Sequence, residues 1–395
     1  MLNMTSRERL LAAMRYEQPD HVPLVFNVFG FQPPPHLAWS NEFEEAERWL
    51  SLGVDATLHL YLPLTFHPAV KTRTWEEELP GERWPLMVKE YDTPAGTLRQ
   101  EVFRTEDWIS PEWPEHKVGA PEVQLADDYN VVRSRRFPVE SEADLEKIKY
   151  LLWPPGDEDI RAFRNQAMTA AKRAQELGVL LEATTSSGVD MATWLCGVDG
   201  MVYMAVDKPD VFEQLLNIIH ERDRRLTEIM LDTPVDLVNR RGWYEGTAFW
   251  SPALFRRFIK PRIADITKMV HDEGRLMGYI MSTGFMPLLN DMVELGYDVH
   301  YYIDPIMGGA GADLRQVKRV FNKKIAVAGG INNAVTVEQG TPEEIRQAVF
   351  DAISILGPGG GFIMTPVDSI NASTPWANIE VLIEAWKEAR DYPLR

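Results

Sequence analysis

The feature that most constrains the fold is an alternation of strand-like and helix-like segments along almost the whole chain. Eight short apolar runs are separated by amphipathic stretches that carry helix-capping residues. Strands that alternate with helices form parallel sheets with crossover helices, and eight such units predict one closed (β/α)8 TIM barrel of the α/β class. A doubly wound open sheet is the alternative that this pattern leaves open. The predicted strands are residues 22–30, 55–62, 179–188, 236–245, 275–284, 298–305, 325–332 and 361–369.

Residues 71–136 depart from this alternation. They are rich in Trp, Glu, Pro and Thr, and a turn at residues 93–96 separates two alternating runs, which is typical of an antiparallel hairpin. We therefore expect one barrel domain over residues 1–395, with residues 71–136 as a β-rich insertion after the second strand.

The charge balance narrows the range of partners. The chain has 41 Lys and Arg against 59 Asp and Glu, a net charge of −18. Binding to nucleic acid or to an anionic membrane surface needs clustered basic residues, so we expect neither partner. The chain also lacks an apolar run of membrane-spanning length and a secretory signal pattern, which predicts a cytoplasmic protein. Its single cysteine, Cys196, excludes an intrachain disulfide framework and any four-cysteine metal site.

Polar residues near the predicted carboxyl ends of the strands are the candidates for a site, because barrel enzymes carry their active sites there. The 12 Trp, 12 Tyr and 16 Phe favour an aromatic pocket for a small organic substrate. The candidates are His59, Glu182, Thr184, Ser186, Asn239, Arg240, Arg241, Tyr244, Glu245, Tyr279, Ser282, His300, Tyr301, Tyr302, Asp304, Asp368, Ser369 and Asn371.

Several of these residues also have a structural interpretation. His59 lies inside an apolar run, which is typical of a hydrogen-bonded core histidine. Glu182 could be a functional carboxylate or one half of a structural ion pair. Arg240 could clamp a substrate carboxylate or be solvated. His300 and Asp304, four residues apart, could be a base with an orienting acid or two metal ligands.

Four segments resemble the uroporphyrinogen decarboxylase superfamily, whereas no P-loop, dinucleotide fingerprint or hydrolase motif is found. Residues 5–24 (TSRERLLAAMRYEQPDHVPL) resemble its entry helix and first strand, and residues 251–263 (SPALFRRFIKPRI) its helix after strand four. Residues 288–304 and 340–386 resemble its C-terminal third. The resemblance covers most of the chain except about residues 71–136, and it implies a single (β/α)8 barrel with an open cleft at its C-terminal face.

One branch of this superfamily decarboxylates uroporphyrinogen without a cofactor, using arginines after the first strand and an aspartate that binds the pyrrole nitrogens. This chain reads NVFGFQPPPHLAW there, with no Arg, and Asp368 stands where the family has a histidine. The resemblance therefore argues against true uroporphyrinogen decarboxylation. A carboxy-lyase of porphyrin biosynthesis is kept as the alternative function, and a non-catalytic barrel that only holds a ligand is a second alternative.

The other branch is that of corrinoid-linked methyltransferases. Several members hold zinc through a His-x-Cys pair at the end of strand five and a later Cys, but here Tyr279 and Met281 stand at the positions of that pair. The resemblance thus implies no thiolate zinc site and leaves open a site of oxygen and nitrogen ligands. The candidate ligands are His59, Glu182, Glu245 and His300. No cobalamin-binding Asp-x-His-x-x-Gly segment is visible, so a corrinoid would be carried by a partner protein, and tetrahydrofolate is the other methyl acceptor considered.

The sequence therefore predicts a methyltransferase that moves a methyl group from a small methylated or methoxylated substrate to a corrinoid protein or folate. Glu182 or Glu245 is predicted as the acid–base group or metal ligand. His300, oriented by Asp304, is predicted as a proton donor or ligand, and Tyr279 as a hydroxyl donor. The predicted substrate-binding residues are His59, Asn239, Arg240, Tyr244, Ser282, Tyr301 and Asp368. The barrel and its apolar surface helices predict a homodimer.

Overall fold

The computed structural model describes residues 4–106, 123–307, 311–392 and 394. The strands are β1 (Val28–Phe29), β2 (Thr57–Leu60), β3 (Lys71–Glu77), β4 (Leu86–Thr93), β5 (Gly96–Phe103), β6 (Ser134–Arg136), β7 (Leu180–Ser186), β8 (Leu237–Arg241), β9 (Leu276–Ile280), β10 (Val299–Ile303), β11 (Ala326–Asn332), β12 (Phe362–Val367) and β13 (Ile370–Asn371). The α-helices are α1 (Ser6–Met14), α2 (Glu42–Ser51), α3 (Asp128–Val131), α4 (Leu145–Ile148), α5 (Asp157–Leu177), α6 (Gly188–Asp207), α7 (Pro209–Leu231), α8 (Pro252–Leu254), α9 (Lys260–Asp272), α10 (Leu289–Leu295), α11 (Leu314–Phe321), α12 (Pro342–Leu356) and α13 (Trp376–Ala389).

The chain falls into two compact units. The first is formed by Met1–Tyr61, Arg161–Thr185 and Ile229–Arg395, and the second by Leu62–Ile160 and Ser186–Glu228. The parallel sheet and the candidate residues discussed below belong to the first unit, apart from Ser186 at the end of β7.

The first unit contains a curled sheet of seven parallel strands in the order β12-β11-β10-β9-β8-β7-β2. The first predicted strand, residues 22–30, lies between the two edge strands of this sheet, β12 and β2. Leu24 pairs in parallel with Met364 of β12, and Val25 pairs in parallel with Asp55 beside β2. The Val25 amide donates to the Met364 carbonyl at 3.0 Å, and the Asp55 amide donates to the Leu24 carbonyl at 2.8 Å. The predicted α/β barrel is confirmed, with residues 22–30 contributing isolated bridges and the short β1 in place of one continuous strand.

Helix α1 covers the end of the barrel where the strands begin. It starts with a capping box, in which Thr5 and Glu8 exchange hydrogen bonds. The Arg7 amide donates to the Gly178 carbonyl, just before β7, at 2.7 Å. The Ala56 amide, just before β2, donates to the Ser6 hydroxyl at 3.0 Å. Because α1 seals this end, any site inside the barrel must open at the carboxyl ends of the strands.

The sheet has an inner and an outer face with different side chains. Inner residues Leu180, Leu237 and Val299 pack in one cluster with Leu10 and Met14 of α1. Successive side chains of a strand point to opposite faces, so every second residue after these three shares the inner face. The inner polar residues are therefore Glu182 in β7, Asn239 in β8 and Tyr301 in β10, whereas the outer ones are Arg240, Tyr279 and His300.

The second unit contains an antiparallel sheet of four strands in the order β3-β4-β5-β6. The predicted hairpin at residues 93–96 is confirmed, since Thr93 at the end of β4 pairs with Gly96 at the start of β5. Residues 107–122 of the predicted insertion lie outside the described residues. The assignment of residues 71–136 as an insertion into a single domain stays a prediction.

Helix α6 of the second unit is long and strongly apolar. Gly197 interrupts it with a φ of +72°, and a Cβ at this position would lie 2.5 Å from the Phe137 ring. Within the described residues, α6 alone has the length and composition of a membrane-crossing helix, yet 61% of its apolar window is buried inside the fold. The core helix of a soluble protein can have the same length and the same apolar composition. The cytoplasmic location stays a prediction.

Candidate functional site

Three polar residues from adjacent strands meet on the inner face of the barrel, in β7 and β8 two residues after the apolar cluster of Leu180 and Leu237. His59 of β2 lies opposite Glu182 of β7 in the strand register. The His59 Nε2 is 3.2 Å from the Glu182 Oε1, and the Asn239 side-chain amide of β8 donates to the Glu182 Oε2 at 2.7 Å. The carboxylate of Glu182 is thus held from both sides.

Space for this trio depends on a glycine in the neighbouring strand. Gly278 of β9 lies beside Asn239 of β8 in the register. A Cβ at Gly278 would come within 2.0 Å of the Asn239 Oδ1 and 3.0 Å of the Tyr301 ring. Any side chain here would push Asn239 away from Glu182.

The electrostatics of the pair favour a charged imidazolium beside a carboxylate. Partial desolvation of the ring opposes the charge of His59, but the Glu182 carboxylate outweighs this and, with Glu42 and Glu45, raises the pKa of His59 to about 9. Burial likewise opposes ionisation of Glu182, yet the His59 charge and the hydrogen bonds from His59, Thr57 and Asn239 lower its pKa. At neutral pH, His59 therefore holds a proton that it can donate.

His59 is open to solvent, although it lies in a buried strand. Its side chain is 56% exposed, whereas that of Glu182 is only 9% exposed. The interpretation of His59 as a buried core histidine is therefore wrong. With Nε2 directed to Glu182, Nδ1 is the ring nitrogen available to a ligand.

Aromatic rings from β10 and from the loop after β8 lie on the same unit. Tyr301 and Tyr302 have ring centroids 6.0 Å apart, and Tyr302 stacks on Trp243 at 5.5 Å with an interplanar angle of 19°. Burial, together with the negative charges of Asp368 and Glu182, raises the pKa of Tyr302, so its hydroxyl stays protonated. Burial and the Glu182 charge raise the pKa of Tyr301 in the same way.

Arg240, Glu245 and Tyr279 form a separate network on the outer face of the sheet. The Arg240 guanidinium and the Glu245 carboxylate form an ion pair in which both side chains are buried. The Tyr279 hydroxyl donates to the Glu245 Oε2 at 2.6 Å. Burial, with the charge of Glu245, raises the pKa of Tyr279 well above its usual value. These contacts describe a structural network, and the catalytic roles predicted for Glu245 and Tyr279 stay untested predictions.

His300 and Asp304 do not pair with each other, which corrects the predicted contact between them. The His300 Nδ1 is 2.8 Å from the Tyr297 hydroxyl and its Nε2 is 2.9 Å from the Met281 carbonyl. Burial lowers the pKa of His300 to about 3. Asp304 instead accepts from the Asn332 side-chain amide at 2.7 Å and from the Ile306 amide at 2.7 Å. His300 is thus a neutral histidine of the outer layer, and Asp304 organises a turn.

The remaining predicted substrate-binding residues are scattered. Tyr244 is half-buried, and its ring lies 5.5 Å from Phe249. Ser282 is buried, with its hydroxyl 3.8 Å from the Met307 sulfur. Asp368 is exposed directly after β12. The negative charge of Asp368 acts on Tyr302 and contributes to the raised pKa of that residue.

The predicted oxygen and nitrogen ligands do not fit a zinc ion. Among the described residues, no group of three or more His, Cys, Asp or Glu side chains is spaced to hold a metal. His59 and Glu182 lie on the inner face, whereas Glu245 and His300 are engaged in the outer layer. No chemical step is therefore assigned to a metal held by these four residues.

Two residues that contact Tyr302, Trp243 and Asn27, are not among the candidates that the sequence predicts. Trp243 lies in the loop after β8, and Asn27 lies in the broken first strand, where its side-chain amide donates to the Ser369 hydroxyl at 2.8 Å and also hydrogen-bonds Tyr302. Asn27 lies near the end of the first predicted strand, so its position would have justified adding Asn27 to the candidate residues. The stacking of Trp243 on Tyr302 depends on loop geometry.

A closed barrel with an imidazolium–carboxylate pair and aromatic rings near its open end has the architecture of the barrel enzymes, whose sites lie at this end. The model of the family described as uroporphyrinogen decarboxylase (URO-D) matches residues 128–389, more than half of the chain. The protein therefore belongs to the uroporphyrinogen decarboxylase family, which confirms the resemblance found in the sequence.

Similar proteins carry two different names. A methylcobamide:CoM methyltransferase MtaA from Methanosarcina barkeri is 24% identical over 47% of this chain and 53% of its own length. A uroporphyrinogen decarboxylase from Coxiella burnetii is 23% identical over 63% of this chain and 68% of its own length. The match thus spans only about half of the methyltransferase.

A solved structure of a methyltransferase from Methanosarcina mazei has a similar fold. It superposes with a TM-score of 0.57 over 98% of this chain and 99% of that chain, at 18% sequence identity. At this identity the similarity establishes the fold alone.

Proposed function

We propose that this protein is a methyltransferase that takes the methyl group from a small methoxylated or methylated substrate and passes it to a corrinoid protein or to folate. The observation that carries the proposal is the solvent-exposed His59 beside the buried Glu182, 3.2 Å away, on the inner face of the barrel. The similarity to a methylcobamide:CoM methyltransferase supports the same kind of chemistry.

An exposed, protonated His59 suits a methyl group bonded to oxygen. When the carbon–oxygen bond of a methyl ether breaks, its electron pair stays on the oxygen, which is a poor leaving group unless it is protonated. His59 can supply that proton from Nδ1, and general acids of this kind contribute about 10²–10⁴-fold to a rate. A methylated ammonium group leaves as a neutral amine and needs no such acid, so the pair favours an ether over an amine.

In this proposal Glu182 and Asn239 keep the general acid, His59, protonated and correctly oriented. Glu182 stays ionised and stabilises the imidazolium, while the Asn239 amide fixes the orientation of the carboxylate. A cobalt(I) corrinoid, when bound, supplies the electron pair of the new bond to the methyl carbon. After proton transfer the product is an alcohol or phenol, and a neutral His59 regains its proton from water.

The experiment is an assay of the purified protein with a panel of methoxylated and methylated compounds and cobalt(I)-cobalamin. We expect methylcobalamin absorbance to appear in equal amount to the demethylated product, with methyl ethers reacting faster than methylated amines. Release of carbon dioxide from uroporphyrinogen, without methyl transfer from any compound, would favour the decarboxylase alternative. Ligand binding without either reaction would favour a non-catalytic barrel.

The pH dependence of methyl transfer is a further prediction. His59 is the donor in its protonated form, so kcat is expected to hold through neutral pH and to fall as pH rises through about 9. The carboxyl groups acting on His59 are Glu182, Glu42 and Glu45. Glu182→Gln removes the largest attraction and should move the alkaline limb to lower pH. An alkaline limb at the same pH in wild type and variant would contradict this assignment.

A further inference from the structure

Strand β3 is an edge of the antiparallel sheet in the second unit. Among the described residues it pairs with β4 alone, along its whole length from Lys71 to Glu77. Its first three residues and Glu76 are exposed to solvent. In an antiparallel strand, every second residue directs its backbone amide and carbonyl away from the paired neighbour. This edge therefore presents backbone groups with which a further strand can pair.

The charges of β3 are divided between its two halves. Lys71 and Arg73 lie in the first half, and Glu76 and Glu77 lie in the second. The strand is neutral in sum, although the chain has a net charge of −18 and its copies otherwise repel each other. Charges at a sheet edge often prevent pairing with another chain. Here their order makes the strand complementary to itself when it is reversed end to end.

An antiparallel pair of two β3 strands, related by a two-fold axis at Thr74, brings suitable partners opposite each other. Lys71 lies opposite Glu77 of the second copy, Arg73 lies opposite Trp75, and Thr74 lies opposite its own copy. Opposite charges and paired threonines at such positions stabilise a sheet. The Trp75 ring already accepts cations within one chain, since the Arg73 and Arg99 guanidinium groups lie 4.9 and 5.4 Å from its centroid.

The same register also satisfies the backbone. It places every odd-numbered residue of β3 opposite an odd-numbered residue of the second copy, and every even-numbered residue opposite an even-numbered one. Whichever of these two sets directs its amides and carbonyls outward therefore meets the same set in the other strand. Two outward-facing residues opposite each other exchange both of their backbone hydrogen bonds.

We propose that β3 is the interface of a homodimer, in which it pairs with β3 of a second copy and joins the two four-stranded sheets into one. The order of the charges on the strand favours a second copy of this chain as the occupant. This interface differs from the dimer through surface helices that the sequence predicts, and it does not depend on the proposed catalytic function.

The first test is disulfide cross-linking at the axis. Directly opposite residues of an antiparallel pair have Cα atoms about 4.5–5.5 Å apart, within the range that a disulfide spans. The native cysteine, Cys196, is buried, so Thr74→Cys introduces one reactive thiol. We expect mild oxidation to convert this variant to a covalent dimer on a non-reducing gel. Thr72→Cys is the matched control, because its copy is four residues away, about 13 Å along the strand, and it should stay uncross-linked.

The second test reverses a charge at the end of the strand. Lys71→Glu places a carboxylate opposite Glu77 at both ends of the interface, and the dimer Kd from sedimentation equilibrium should rise by about 10-fold or more. Exchange of the two charges in Lys71→Glu/Glu77→Lys should restore dimer formation. Lys149→Glu is the control for net charge, since Lys149 is exposed in the same unit and pairs with Glu146. It should leave the Kd unchanged.

Three results would overturn the proposal. The first is a monomer at every concentration up to about 1 mM, the Kd of a very weak complex. The second is cross-linking of Thr72→Cys as readily as of Thr74→Cys, which would indicate random collision. The third is an equal effect of Lys71→Glu and Lys149→Glu on the Kd, which would assign the change to net charge.

Discussion

Replacing His59 with glutamine is expected to lower kcat for methyl transfer from a methoxylated substrate by about 100- to 10,000-fold, the contribution of a general acid. Glutamine can still hydrogen-bond to Glu182, but it cannot give up a proton to the leaving oxygen. The raised pKa of His59 means that its ion pair with the buried Glu182 stabilises the fold at neutral pH, so the variant is expected to lose some thermal stability and is assayed below its unfolding temperature. The measurement is single-turnover kinetics with cobalt(I)-cobalamin, together with a thermal unfolding curve of each variant.

His271→Gln is the matched control for this prediction. His271 also pairs with a carboxylate, since its Nε2 lies 2.8 Å from Asp298, and the hydrogen bond with Asp298 raises its pKa. This pair lies where the strands begin, at the opposite end of the barrel from His59. Normal turnover in His271→Gln and loss of turnover in His59→Gln is the expected result. An equal, small effect of both substitutions would remove His59 from the mechanism.

The second large effect expected is on stability, at Arg240. Arg240→Met should lower the free energy of unfolding by about 3–5 kcal/mol, because it leaves the Glu245 carboxylate buried without the guanidinium that it pairs with. Both side chains of this pair are almost fully buried, so water cannot replace the lost partner. Urea unfolding monitored by circular dichroism measures the change.

Two controls separate this effect from a general loss of arginine. The double variant Arg240→Met/Glu245→Gln removes both charges and should be more stable than Arg240→Met alone. Arg346→Met breaks an ion pair with Glu388 in which both partners are partly exposed, and it should cost less than about 1 kcal/mol. A cost at Arg240 as small as that at Arg346 would show that the outer network contributes little to stability.

The barrel could be predicted because the alternation of strands and helices is strong, and because local signals agreed with it. The N-cap residues Thr5, Ser251 and Thr341 each accept a backbone hydrogen bond at the start of a helix, which is the local signal that marks helix starts in a sequence. The first strand was less regular than predicted. Its backbone bonds with β12 and with Asp55 are made around Pro23, which has no amide hydrogen to donate.

The candidate site was only partly predictable, for reasons of strand geometry. Of five candidates from the sequence, Glu182 and Asn239 lie on the inner face, whereas Arg240, Tyr279 and His300 fall on the outer face. Side chains alternate along a strand, so an error of one residue in the assumed phase exchanges the two faces. Leu180 and Leu237 lie in the inner cluster, so every second residue after them shares the inner face, and this rule separates the inner residues from the outer ones.

Other contributions to the site could not be read from local sequence. Tyr302 departs from the alternation because the register of β10 against β11 shifts beside it. His59 looked like a core residue because its neighbours are apolar, yet the strand end where it lies is open. Both properties depend on tertiary structure, and neither leaves a pattern in the residues on either side.

The most direct test of the account is the dependence of the methyl-transfer rate on the acidity of the leaving phenol, in wild type and in His59→Gln. If His59 protonates the oxygen as the bond breaks, wild-type rates should vary weakly along a series of ring-substituted methoxybenzenes. Rates of the variant should rise steeply with leaving-group acidity, so that its defect is smallest for the most acidic phenol. Parallel dependences with a constant ratio between the two proteins would contradict the assignment of His59 as the acid.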